Sequence, residues 1–414
     1  MLSAHRSEDP GLSLHRLLDP EVLADPYPLY ERLRVEDPVH WDPFLHVFVL
    51  TRYDDVVRVL HDFLAARTPT PDQLSKMGLA DLGPIADIMV RQMLFMDGAA
   101  HARLRTLAAC AFTPARVEVM RTEIRQIARD LLLPAREAGR MDVIRDFAEP
   151  LPSIVTAGML GVPVEDHELL KAWSADFAEV LGNFQHNPDR ARAILKACEG
   201  MTEYFKSARR EQRAHPREGL VSALMNAEIG GDRLSDEEVV ANCIVTMVGG
   251  QETTTNLIGN GVLALLRNPR ELLRLRGDPF LVVSGVEELL RYESPSQHTA
   301  RITPSDCEIG GQRIEAGQAV IAVMGAANRD PGRFPDPDRL DLGRKDNRHV
   351  AFGWAAHFCF GAALARMEGQ IAFEMLVQSA EEIALEPGPL VWRSNLGLRG
   401  LESLPVRFSL KAPQ

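Results

Sequence analysis

Three stretches of this 414-residue chain combine residue types that do chemistry. The first is Ala351-Phe352-Gly353-Trp354-Ala355-Ala356-His357-Phe358-Cys359-Phe360-Gly361, a loop of small and aromatic residues around one cysteine. It opens a predicted helix over 362–377, and a helix N-terminus favours the thiolate through its dipole and free N–H groups. Taken alone, such a Cys reads more readily as a small buried hydrophobe. The second stretch is Gly249-Gly250-Gln251-Glu252-Thr253-Thr254-Thr255. Each Gly costs a helix about 0.5–1 kcal/mol relative to Ala, and β-branched threonines weaken it further. Either another helix packs closely there, with Thr hydroxyls bonding back to carbonyls, or something must approach the backbone. Asn242, Thr246, Gly249 and Thr253 share one helix face, and Glu252 beside them makes an acid–hydroxyl pair suited to proton relay. The third is a set of spaced pairs: Glu288 with Arg291 at i, i+3, and His101 with Arg105 at i, i+4. Each pair alone reads as a solvated helix face.

The elements that must position these groups are mainly helical. Ser235 with Glu238 forms a capping box, and the pattern it opens runs to Leu266, before Asn268-Pro269. That is roughly 30 residues, or about 45 Å of helix, enough to cross a domain. Val117, Met120, Ile124, Ile127 and Leu131 predict a helix over 115–133 that starts at Thr113-Pro114 and ends or kinks at Pro134, with Gly139 as a firm stop. Val39–Trp41 and Val47–Thr51 predict a small β-rich region near the N-terminus, and Val320–Met324 and Val406–Leu410 predict further strands. Cys307–Ile309 and Gln312–Ile314 around Gly310-Gly311 read as a hairpin. No repeat, linker or domain boundary appears, so residues 1–414 read as a single, mainly α domain with minor β structure.

Composition narrows the function. The chain is 45% hydrophobic and 25% charged, the profile of a soluble globular protein. Its net charge of -12, from 58 acidic against 46 basic residues, argues against a nucleic-acid binder. Five scattered cysteines without a CxxC argue against a disulfide scaffold or structural zinc and suit a reducing, cytoplasmic compartment. Met1–Pro20 is too polar for a signal peptide or membrane anchor, and the apolar run Val239–Val248 is too short to span a bilayer.

In this order and spacing, the segments resemble the cytochrome P450 family, the soluble bacterial type in particular. The cysteine loop resembles the haem-ligand loop F-G-x-G-x-H-x-C-x-G, and Glu288-Leu289-Leu290-Arg291 resembles the E-x-x-R pair about 70 residues upstream. Gly249 to Thr253 resembles the oxygen-activating segment of the central helix. Asp97 to Arg105, followed by Phe112-Thr113-Pro114, resembles the helix that clasps the haem propionates. The resemblance extends from Asp25-Pro26-Tyr27-Pro28 to Leu404-Pro405-Val406. One departure stands out: Ala355 occupies the position of the second glycine of the haem loop, which puts loop geometry in question.

The resemblance implies a P450 fold with a long central helix over a buried haem b. Cys359 is then the axial thiolate and metal ligand, supported by the N–H of Gly361, with Phe352 packed under the haem. His101, Arg105, Arg301 and His357 fall at propionate-binding positions, while His298 faces the substrate or the core. Glu288 and Arg291 hold the meander Arg329–Arg344, with Arg339 as a third member. Glu252 and Thr253 deliver protons during dioxygen activation. The implied activity is a monooxygenase performing hydroxylation or epoxidation, probed against two alternatives: another P450 oxidation (ring coupling, desaturation, peroxide-driven chemistry) and a haem sensor or carrier, which has no use for a relay. Electrons come from a separate ferredoxin with its reductase, or a flavodoxin, docking on a basic patch that includes Arg103, Arg344 and Arg366. Asn242, Val245, Thr246, Gly249, Gln297 and Leu396 line the substrate pocket, Thr68–Phe95 covers it, and Phe177–Ala193 belongs to a mobile lid. The polar groups of Gln297, Asn242 and Thr246 suit a hydrophobic, partly oxygenated substrate such as a polyketide or macrolactone. The family default is a monomer.

Overall fold

The computed structural model describes residues 9–111, 113–182, 188–379 and 381–409. Phe112, residues 183–187 of the expected lid and Leu410 of the last expected strand lie outside the described residues, as does the start of the N-terminal segment.

The helix Asp236–Arg267 runs through the middle of the molecule and is buried along most of its length. Its start is the expected capping box: Ser235 Oγ accepts from the Glu238 N–H, and Glu238 accepts from the Ser235 N–H. A helix so enclosed needs neighbours on every side. Pro150–Leu160, His167–Gly182 and Pro188–Ala214 pack on it, as do Val282–Tyr292 and Ala362–Ser379. Two apolar cores result. One joins its C-terminal half to the last two of those helices through Leu257, Ile258, Leu289, Ile371 and Phe373; the other joins its N-terminal half to the remaining three through Val240, Ile244, Phe177 and Phe205.

The predicted helix over 115–133 is two helices, Pro114–Val119 and Arg121–Ala138. The turn at Met120 lets Val117 and Ile124 reach the same core. Pro134 neither ends nor breaks the second helix, because it lies on the exposed face, where water reaches the carbonyl it leaves unbonded. Gly139 is the stop, with φ 66°.

The β structure is small. A four-stranded sheet has the order Val39–Asp42, Val47–Leu50, Ala319–Ala322, Thr299–Ile302, its middle pair parallel and its outer pairs antiparallel. Glu382–Leu385, Pro405–Ser409 and Arg140–Asp142 form a second, antiparallel sheet. Cys307–Ile309 and Gln312–Ile314 form the expected hairpin, with Gly310 and Gly311 at φ 57° and 79°, as a type I′ turn requires. Among the described residues no helix is long and apolar enough to cross a membrane.

Buried charge fixes the region between the sheets and the helices. Arg291 and Glu288 are fully buried and paired twice at 2.8 Å. Arg291 also donates to the carbonyls of Asn328 and Pro337, which pins the Arg329–Arg344 segment. The third member is Arg344, whose Nε lies 3.1 and 3.2 Å from the two Glu288 oxygens. Arg339 offers only its carbonyl, while its guanidinium pairs with Asp341 at the surface.

Candidate active site

The cysteine loop is a tight turn held by its own backbone. The Cys359 N–H donates to the Phe352 carbonyl at 2.7 Å, and the Phe358 N–H donates to that of Ala355 at 3.1 Å. Closing it so sharply places Gly353 at φ 71° and Ala355 at φ 53°. An alanine there costs about 1–2 kcal/mol of left-handed strain. Ala355→Gly is therefore expected to stabilise the fold by about 0.5–1 kcal/mol after the added flexibility of glycine is subtracted. A urea midpoint that rises at unchanged slope is the result to look for.

Cys359 faces a cavity of about 320 Å3. Burial pushes its thiol up, against the lowering effects of the Gly361 N–H and the Arg105 and Arg366 cations. Arg366 lies 4.6 Å over the Phe352 ring and pairs with Glu287. The same cavity is lined by Val245, Thr246, Gly249 and Thr253 of the central helix. A Cβ on Gly249 would meet nothing within 4 Å, whereas one on Gly250 would touch Thr156. Of the two explanations for this glycine pair, open space therefore holds for Gly249 and close packing for Gly250. The Thr253 hydroxyl donates to the Gly249 carbonyl at 2.7 Å, so it rests on its own helix at the cavity wall.

One end of this otherwise apolar cavity is crowded with hydrogen-bond donors. His101, Arg105, Arg301 and His357 all reach it. The two imidazoles meet with centroids 4.2 Å apart, tilted by 34°, and His357 Nε2 lies 3.3 Å from Asp97. Arg105 donates to the Phe358 carbonyl, and Arg301 to Thr299 Oγ1 and the Ala300 carbonyl. Burial and the neighbouring His101 and Arg301 push His357 down to about 4; burial pushes Arg301 down to about 10. Yet His101 Nε2 and Arg301 Nε are buried with no partner among the described residues. Buried donors left unmet cost about 1–3 kcal/mol each, so the site calls for an anion. A porphyrin fits: a flat apolar body, carboxylates for the donors, and a metal that stabilises the Cys359 thiolate.

Three expected pocket residues face elsewhere. Asn242 accepts from the Met93 N–H and donates to the Arg91 and Glu238 carbonyls, so its amide ties the 91–93 segment to the central helix. Gln297 donates to the Ser294 carbonyl and packs against Gly325, and Leu396 packs in the N-terminal core. Ser296, Gly397 and Leu398 line the cavity, as does His298, expected to face the substrate or the core; its ring meets the Leu396 carbonyl and is pushed down by burial to about 3. Of the three polar groups that pointed to an oxygenated substrate, only Thr246 remains, and its hydroxyl donates to the Asn242 carbonyl. Glu252 is buried but also outside the cavity. It pairs at 2.8 Å with Arg393, which also holds Glu149, itself paired with Lys171.

The three arginines expected in the basic patch are each ion-paired. Arg103 pairs with Asp232 and Glu238, Arg344 with Glu288, and Arg366 with Glu287. Arg67 and Glu368, which nothing in the sequence singles out, both line the cavity. Neither sits in a recognisable motif, and only the fold brings them there.

The cytochrome P450 family profile matches residues 46–278 and 281–382. The chain belongs to the cytochrome P450 family. Over 391 residues it is 39% identical to the biotin biosynthesis cytochrome P450 of Bacillus subtilis (strain 168), covering 94% of this chain and 97% of that protein. It is 37% identical over 401 residues to the cytochrome P450 monooxygenase PikC of Streptomyces venezuelae, covering 94% and 93% of the two chains. The crystal structure of P450BioI, in complex with hexadec-9Z-enoic acid ligated acyl carrier protein, matches this P450 with a TM-score of 0.88 at 38% identity, over 94% of this chain and all of the other. Such enzymes are haem-thiolate monooxygenases, which accounts together for a cysteine facing the cavity and for the donors that crowd its end.

Proposed function

We propose that this P450 inserts one atom of O2 into an apolar small molecule, by hydroxylation or epoxidation, with electrons from a separate ferredoxin and its reductase or from a flavodoxin. The observation that supports this reading is one cavity shared by Cys359, the donor set His101, Arg105, Arg301 and His357, and the Gly249–Thr253 wall. Haem b is the group these residues suit: Cys359 would supply a thiolate to its iron with the Gly361 N–H beside the sulfur, Phe352 would pack against the porphyrin, and the four donors would hold the propionates. A haem-thiolate centre supplies reductive activation of dioxygen. The chain's own task is to exclude water, orient the substrate and deliver protons through Thr253 and Glu252. The predominantly apolar wall, with PikC and the polyketide P450 PksS of B. subtilis among the relatives, favours a substrate of polyketide or acyl origin. The setting we infer is a cytoplasmic monomer.

The reduced protein with carbon monoxide tests the ligand. Wild type is expected to give the strongly red-shifted Soret band of thiolate ligation, and Cys359→Ser is expected to lose it. A blue-shifted band in wild type would mean a protonated or displaced sulfur and would count against the assignment.

A further inference from the structure

Two cavities meet at Arg67. The outer one, about 530 Å3, has apolar walls that include Leu45, Leu74, Ile85, Met89 and Ile194. It shares Arg67, His298 and Thr299 with the inner cavity. Arg67 carries the only charge on the outer wall among the described residues, since burial keeps His298 neutral. Its guanidinium lies 4.7 Å over the Phe95 ring and makes one long hydrogen bond, 3.2 Å to the Ala65 carbonyl. The acid nearest in effect, Asp97, is already taken by the Ala65 and Ala66 N–H groups and by His357. Burial and the neighbouring Arg301 push Arg67 down to about 9. A half-buried cation where two apolar cavities meet, with one hydrogen bond of its own, is placed to take an anion that enters the passage.

We propose that Arg67 anchors the carboxylate of an amphiphilic substrate, a long-chain monoacid, whose apolar body lies in the inner cavity along Val245, Gly249 and Leu398. A guanidinium presents paired N–H donors to a carboxylate, and the apolar walls reject a second charge. Arg301 stands beside Arg67, but the four donors His101, Arg105, Arg301 and His357 already suffice for two propionates, which leaves Arg67 for the substrate. This deepens the proposed monooxygenase reading and rests on it for the reacting end of the molecule.

The test is binding, so it stands apart from turnover. The haem-loaded full chain is titrated with tetradecanoic acid and with methyl tetradecanoate at about pH 7.5, where the acid is ionised, and the Soret spin-state shift gives each Kd. Wild type is expected to prefer the acid at least tenfold. Arg67→Gln is expected to weaken the acid roughly ten- to hundredfold, the scale of a charged hydrogen bond, and to leave the ester nearly unchanged. Arg67→Lys is expected to keep part of the preference. Equal binding of acid and ester by wild type, or binding of neither, overturns the proposal. An acid preference that survives in Arg67→Gln overturns it too, and if haem content falls in that variant the guanidinium serves a propionate. Absence of product with acid binding intact would instead fault the monooxygenase reading.

Discussion

Arg291→Met is expected to destabilise the protein by about 3–5 kcal/mol, the scale for removing one partner of a buried ion pair. The guanidinium and the Glu288 carboxylate are both fully buried. Methionine would fill much of the volume but leave Glu288 with only Arg344, Asn347 and the Asp341 N–H, and would orphan the Asn328 and Pro337 carbonyls. A typical fold has only about 5–15 kcal/mol in hand, so most of this variant should be recovered unfolded or without haem. Arg291→Lys should fare little better, because an ammonium cannot span two carboxylate oxygens and two carbonyls at once. Arg344→Met removes a pairing nearer the surface and should cost less, about 1–3 kcal/mol. Urea unfolding of the three variants checks the order. Equal losses at 291 and 344 would mean that the pair is not the keystone of the Arg329–Arg344 segment.

That pair also marks what was legible in the sequence. Glu288 and Arg291 announce themselves by spacing relative to Cys359, and the capping box at Ser235 announces the central helix. The capping box is a local signal, carried by residues three positions apart, whereas the i, i+3 pair gains its weight only from its distance to the cysteine loop. Arg344 could not be singled out from Arg339 in the same way, because a long side chain in an irregular segment has no period to fix its direction. Asn242 shows the limit from another side. Its place on the Thr246–Gly249–Thr253 face is a correct helical count, yet its amide is claimed by the 91–93 segment, some 150 residues away in the chain. Helical phase gives the side of a residue, not its partner. Arg67 and Arg393 were silent for the same reason: each lies in a loop, and only packing decides which cavity or charge it meets.

Glu252→Gln is expected to lower product formation by about 10²–10⁴-fold, the range for losing a proton-transfer group, while electrons continue to be consumed. Thr253→Ala should show the same separation of electron use from product, since the hydroxyl stands at the cavity wall and the acid does not. The pH dependence distinguishes a relay from mere architecture. Burial raises the Glu252 carboxyl above the ordinary carboxylate range, with Arg393 pulling it back. A relay that uses the protonated acid therefore loses rate as pH rises through that raised value. Arg393→Met removes the main opposing cation, so the falling limb should move to higher pH, and Glu252→Gln should abolish the limb. Rates of product formation at saturating substrate, measured across pH in the three proteins, decide it. A limb that persists in Glu252→Gln would transfer the role to another buried acid. Glu368 is the group placed to take it, since it lines the cavity, leaves one carboxyl oxygen unpartnered among the described residues, and is pushed up by burial to about 8.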